Sequence, residues 1–261
     1  MRLKEYHWLL PLSAFFVLAF PYDSPALTAK ELLELTVKQN FAESFRVALA
    51  VTTSKGKKVT SKHSLWLVGK SQAAGQSFFV EVDEPKESKG VRFLFQFQPG
   101  KETGAFMYLP ASDKTLPLAV DDPSGEIGGT GLTMDDLQAL VPQAAGEATL
   151  ENDDKVDGTS CHVVKITLPK GQGSRRLWIA KDDMVVIKAE QSGADGKVKR
   201  KFKVVEFFKT EQGKKFPREE EITLPERGLQ IRVRQEHAVF GIEVQEELTD
   251  PKAFGRYRWK I

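Results

Sequence analysis

A single cysteine, Cys161, occurs in 261 residues, so no internal disulfide can staple this chain. A chain of this length buries an adequate core without one, and an oxidising compartment permits disulfides without requiring them. Histidine is scarce as well. His7, His63, His162 and His237 are scattered, with none of the paired spacings that hold a metal ion. Charge of one sign is missing: the net charge is +2, which gives no case for nucleic acid, a ligand that calls for a basic domain. No apolar run approaches the roughly 20 residues of a membrane span. The glycines Gly125, Gly128, Gly129 and Gly131 lack the lysine and the preceding parallel strand of a phosphate loop. They read as a hinge. The doublets Asp121-Asp122, Asp135-Asp136, Asp153-Asp154 and Asp182-Asp183 fall at turns or a helix start, without the alternating oxygens and distal glutamate of a calcium loop.

The first 26 residues have the layout of a secretory signal. Arg2 and Lys4 precede an apolar stretch over 9–20, interrupted by Pro11 and Ser13, and Ser24-Pro25-Ala26 supplies a small-residue cleavage site. No cysteine follows, so the lipidation signal of a lipoprotein is absent. The expectation is an exported, periplasmic protein beginning near Leu27. Removing Arg2, Lys4, Glu5 and Asp23 leaves its net charge unchanged.

Thr28 to Glu31 is a capping box, with Leu27 and Leu32 placed as a hydrophobic staple. A helix is predicted to about Asn40, turning Leu32, Leu33 and Val37 toward a core. From Phe41 the period changes to two. Phe45, Val47, Leu49 and Val51 alternate with Arg46, Ala48, Ala50 and Thr52. Further strands are predicted over 60–69, 77–82, 91–98 and 104–109, and in the third of these Val91, Phe93, Phe95 and Phe97 share one face. Thr133 and Asp136 form a second capping box, with Leu132 and Leu137 as its staple and Pro142 as the stop. Strands then resume over 161–168, 175–181, 185–191, 198–208, 217–224, 229–236 and 240–248, several joined by turns such as Asp157-Gly158 and Asp195-Gly196. About a dozen antiparallel strands with two short helices predict a mainly β chain of the α+β type. The architecture expected is a strongly curved antiparallel sheet, a half-open barrel closed by short helices around an apolar cavity. Which strand faces are concave stays open, because a one-residue bulge exchanges them.

The stretch over 105–140, AFMYLPASDKTLPLAVDDPSGEIGGTGLTMDDLQAL, runs from an aromatic strand through "YLP" and a Gly/Asp-rich crossover to "TGLTMDDL". In that order it resembles the middle of the LolA-like, outer-membrane lipoprotein-sorting family. The second half is similar to that family's later strands: DGTSCHVVK at 157–165, LWIAK at 177–181, DGKVKR at 195–200, Phe216-Pro217 and the closing DPKAF at 250–254. The likeness spans the mature chain from Leu27 to Phe254 and is closest to the broad, poorly characterised branch. It implies one half-barrel domain over 27–261 with a lid or crossover helix near 121–142, a LolA/LolB-like fold. It further implies a carrier that moves a lipid or acylated lipoprotein toward the outer membrane or an export system. The partners so implied are acyl chains and an inner-membrane export complex or an outer-membrane acceptor, with a monomeric protein, no cofactor and no nucleic acid.

The residues expected to line the cavity are Phe45, Leu49, Val91, Phe93, Phe95, Phe97, Met107, Leu132 and Leu137, where each buried methylene of an acyl chain is worth about 0.8 kcal/mol. Lys197, Lys199, Lys201 and Lys203 are expected on one strand face with Arg200 opposite, and with Trp259 they form the candidate contact for a membrane or partner. Read without a ligand, the same lysines are a solvated outer face that blunts edge pairing, and the same apolar residues a filled core. Cys161 reads as a small packing residue. An enzyme, a hydrolase for instance, would need a polar constellation that the sequence does not display. The alternative of another class is an envelope-stress sensor that uses this fold to bind a regulatory partner.

Overall fold

The computed structural model describes residues 27–40, 43–72, 75–97, 104–118, 126–133, 136, 146–210 and 213–257. The expected signal segment, most of the expected lid, Leu137 and Trp259 lie outside the described residues. Helix α1 (Ala29–Asn40) begins as the sequence dictates. The Thr28 amide donates to Glu31 Oε2 at 2.8 Å and the Glu31 amide to Thr28 Oγ1 at 3.2 Å, closing the capping box in both directions. Its inward face is Ala29, Leu32, Leu33 and Thr36, the i, i+3, i+4, i+7 stripe, with Val37 only half-buried. Thr36 tolerates burial because its hydroxyl donates to the Leu32 carbonyl at 2.8 Å.

The strands are β1 (Ser44–Lys55), β2 (Lys58–Gln72), β3 (Gly75–Glu84), β4 (Arg92–Phe97), β5 (Gly104–Leu109), β6 (Lys114–Pro117) and β7 (Glu147–Val156). They continue with β8 (Thr159–Thr167), β9 (Ser174–Ala180), β10 (Val186–Ser192), β11 (Val198–Lys209), β12 (Lys215–Leu224) and β13 (Leu229–Phe240). All thirteen form one antiparallel sheet in the order β6-β5-β4-β3-β2-β1-β13-β12-β11-β10-β9-β8-β7. The long closure is β1 against β13, which joins the two halves of the chain. Laid flat, thirteen strands would extend about 60 Å, and sheets of that width curl. Bulges at Ala48/Leu49, Thr53/Ser54, Val204/Glu206 and Glu206/Phe207 add local bend and twist. The curved sheet does not close, because β6 and β7 end it without meeting. Both edges resist pairing with another chain: β6 has four residues, Lys114 to Pro117, and β7 carries Glu147, Glu151, Asp153 and Asp154.

Four apolar clusters cover the sheet. On the inner face, the largest spans β1–β5 and β11–β13, and a second packs α1 on β8–β10 through Leu32, Leu33, Val164, Leu177 and Ile179; Phe202 touches both. The outer face holds two more, one around Cys161 and Trp178 and one around Val68, Phe79 and Leu94. The last of these corrects an expectation. The strand predicted over 240–248 does not form; β13 already extends to Phe240, and Gly241 turns at φ +68°. The chain then straps across the outer face through short 3-10 turns at Glu246–Thr249 and Phe254–Arg256, placing Val244, Leu248 and Phe254 on the sheet. Arg92 holds the strap. Its guanidinium donates to the carbonyls of Phe254, Gly255 and Tyr257 at 3.2, 2.7 and 2.7 Å and pairs with Glu81 at 2.9 Å. Two strands, β6 and β7, were not predicted, since neither shows an apolar alternation.

Candidate functional site

Paired residues in neighbouring strands share a face, so the register defines the inner surface row by row. One row runs Ala238–Val47–Leu67–Val80–Phe93–Met107–Leu116 across six inter-strand pairings. The next runs Phe240–Phe45–Gly69–Phe78–Phe95–Ala105. Eight of the nine residues expected to line a cavity, Phe45, Leu49, Val91, Phe93, Phe95, Phe97, Met107 and Leu132, therefore belong to a single inner cluster. Leu49, Phe93, Phe95, Phe97 and Leu132 are buried, while Phe45, Val91 and Met107 are half-buried. Leu137 lies outside the described residues.

Aromatic rings concentrate at one end of this surface. Phe78 lies 5.7 Å from Phe97 edge-on and 6.4 Å from Phe45, and Phe93 stacks on Phe95 at 6.3 Å. Beyond β1 a second group continues the rim: Phe216 stacks on Phe240 at 4.4 Å, with Phe208 5.9 Å from Phe216. Gly69 makes room for the Phe45 ring, since a Cβ there would stand 2.2 Å from Phe45 Cε1. Phe78, Phe202, Phe216 and Phe240 were not among the cavity residues expected from the sequence. Phe216 precedes one predicted strand and Phe240 begins another, but only the pairing of β1 with β13, and of β13 with β12, carries them to the same surface as Phe45.

Residues 126–133 fold as a small plug over this surface. Ile127 and Leu132 enter the inner cluster, and the plug closes on itself through the Glu126–Thr133 bridge and the Ile127 amide donating to the Leu132 carbonyl at 2.7 Å. Buried Thr53 donates through its hydroxyl to the Thr130 carbonyl at 2.7 Å. Gly131, at φ +79°, passes so close to the sheet that a Cβ would lie 2.9 Å from Ile231 Cδ1. Arg200 pins the end of the plug, donating to the Gly131 carbonyl at 3.1 Å and to both oxygens of Asp136 at 2.9 and 2.5 Å. Asp136 also accepts from the Thr133 amide at 2.7 Å, one half of the second capping box, while the Asp136 amide donates to the Thr133 carbonyl at 3.1 Å rather than to its hydroxyl. Burial pushes the Asp136 carboxyl up, against the pull of Arg200 and Thr133. The ion pair ties the segment down through a fork with two hydrogen bonds.

The lysine stripe has a different character. Lys197 precedes β11, in the turn, and is not on the strand as expected. Lys199 bridges Asp195 at 3.0 Å and Glu226 at 2.7 Å, and Lys203 bridges Asp157 at 2.7 Å. Lys197 and Lys201 are exposed. Arg200 points to the opposite face, as the alternation predicted, and is the clamp just described. Trp259 lies outside the described residues. Among the described residues no group of three or more His, Cys, Asp or Glu side chains is arranged to hold a metal ion, and no helix is long and apolar enough to cross a membrane.

An unclosed antiparallel sheet with an apolar concave face, an N-terminal helix over one half and a plug over the other defines a LolA-type half-barrel. A family model described as an uncharacterized protein matches residues 74–255, and the chain belongs to that family. No curated protein matches the sequence significantly. Solved structures share the fold at low identity. A DUF1329 family protein from Desulfovibrio piger superposes with a TM-score of 0.77 at 16% identity, covering 87% of this chain and 98% of that one. A domain from Vibrio parahaemolyticus named for outer membrane lipoprotein sorting gives 0.77 at 15%, covering 87% and 100%. A LolA superfamily protein from Nitrosomonas europaea gives 0.71 at 16%, covering 86% and 98%.

Proposed function

We propose that this protein is a periplasmic carrier that holds an acyl chain of a lipid or lipoprotein against its concave face, without transforming it. The observation that carries this reading is the plugged inner surface: a continuous apolar face of eight strands covered, among the described residues, by Ile127 and Leu132 of one polar-clamped segment. A clamp made of one ion pair and a few hydrogen bonds can release in exchange for chain burial. Twelve methylenes at about 0.8 kcal/mol each would contribute on the order of 10 kcal/mol before ordering costs. The aromatic rim and Met107 suit chains of variable shape. The LolA-type fold supports the same reading, and delivery toward the outer membrane or an export system is the role it suggests.

Native mass spectrometry with lipid extraction, on protein purified from the periplasm without detergent, tests this. The expected result is a co-purifying acyl lipid whose occupancy falls in a Phe45→Asp variant, a substitution at the half-buried rim that leaves the core intact. Folded protein that is empty and takes up no added acyl lipid would refute the carrier.

A further inference from the structure

One inner row differs from the rest. Val204, Glu220, Val233, Val51 and His63 pair successively across β11, β12, β13, β1 and β2, so a carboxyl and an imidazole share the concave face with three valines. Glu220 is 4% exposed and His63 is 9% exposed. Glu220 Oε1 and His63 Nδ1 are both buried without a hydrogen-bond partner. Buried polar atoms are nearly always satisfied, and an orphan costs about 1–3 kcal/mol. Two on one row, beside the likewise unpartnered Nε of Arg218 two residues along β12, are not explained by packing. On a flat sheet they would stand three strand spacings apart, about 14 Å, and curvature brings them nearer.

The surroundings define what could satisfy them. The neighbouring acid is Asp136, whose charge disfavours an ionised Glu220, and Arg200 is already committed to Asp136. Along its own strand Glu220 is flanked on this face by Arg218 and Ile222, with Arg218 drawn toward Glu206 at 3.7 Å. Desolvation, with the Asp136 charge, raises the Glu220 carboxyl to about 8, and desolvation lowers His63. At neutral pH the row thus offers an un-ionised carboxyl, which donates, and an uncharged imidazole, which can accept or donate.

Resting on the carrier reading, we propose that Glu220 and His63 form a polar subsite for the head of the cargo, an amphiphile whose acyl chain is joined through an uncharged ester or amide. Glu220 donates its O–H to the linkage carbonyl, and His63 exchanges a hydrogen bond with a hydroxyl or N–H further along the head. A charged head would have to give up its water beside two groups that carry no charge, and bare hydrocarbon leaves both groups unpaired.

Displacement of the apolar dye N-phenyl-1-naphthylamine by three twelve-carbon probes tests the subsite: monolaurin, laurate and dodecane, at pH 7. Dye uptake by the wild type reports the carrier reading, and preference among probes reports the subsite. Monolaurin should displace dye at about tenfold lower concentration than laurate, the worth of roughly one hydrogen bond. Glu220→Leu, an apolar residue on an apolar face, should reduce that preference to within about twofold, and Glu220→Gln, which still donates, should keep it. His63→Leu should weaken monolaurin severalfold and leave dodecane unchanged. Dye uptake with no monolaurin preference, or a preference untouched in Glu220→Leu, overturns the subsite and leaves the carrier standing. A wild-type protein that takes up no dye removes both.

Discussion

Replacing Glu220 by Gln should abolish a pH dependence of stability that the wild type carries. In the fold this carboxyl sits near 8 against an ordinary 4.5, because burial and the Asp136 charge both disfavour its ionised form. The folded state therefore binds the proton more tightly than the unfolded chain. The group's stabilising contribution is complete below pH 4.5 and falls as pH rises toward 8, since there the unfolded state alone gains by ionising. The difference of 8 − 4.5 corresponds to about 5 kcal/mol, an upper bound because a fold that relaxes to hydrate the charge loses less. Urea unfolding of both proteins across pH 4.5 to 9 isolates the effect, because every other titrating group, Asp136 and His63 included, is common to the pair. The stability difference between wild type and Glu220→Gln should move by at least about 2 kcal/mol across that range, at constant m-value. Parallel curves would refute the assignment of a buried, proton-holding Glu220.

Arg92→Ala should free the C-terminal strap, because one guanidinium serves three strap carbonyls and Glu81. A loss of about 3 kcal/mol and rapid proteolysis after Phe240 are expected; unchanged cleavage kinetics would show that Val244, Leu248 and Phe254 hold the strap unaided. Gly69→Ala should destabilise by about 1–3 kcal/mol through collision with the Phe45 ring, and Phe45→Leu in the same chain should recover most of it. Additive losses in the double variant would contradict the ring's placement over Gly69.

Local chemistry was legible in the sequence. The Thr28–Glu31 box forms as read because capping involves residues three apart. β5 runs over Gly104–Leu109, and the other strands found from alternation and turns agree within a few residues. Alternation also grouped Phe45, Phe93, Phe95 and Met107 on a common face, because side-chain period depends only on the extended backbone. It misled at 240–248, where Phe240, Ile242 and Val244 alternate but belong partly to β13 and partly to the outer strap. It was silent at β7, whose residues Glu147–Val156 are chosen for an exposed edge rather than a core.

Register belongs to the tertiary structure. The slip opposite Ala48/Leu49, where β13 carries the extra residue Glu236, and the one at Val204/Glu206 in β11 exchange faces along β13 and β11, and no window of sequence shows where such a slip occurs. Glu220 and His63 stand far apart in the chain and share no motif. Alternation alone left each on an unassigned face. Three successive strand pairings put them on one concave row, beside a plug whose aspartate binds an arginine from β11. The sequence by itself determined that the chain makes long strands with an apolar side. Which polar groups that side encloses was decided only when the strands were aligned, because alignment depends on the whole sheet closing its hydrogen bonds at once.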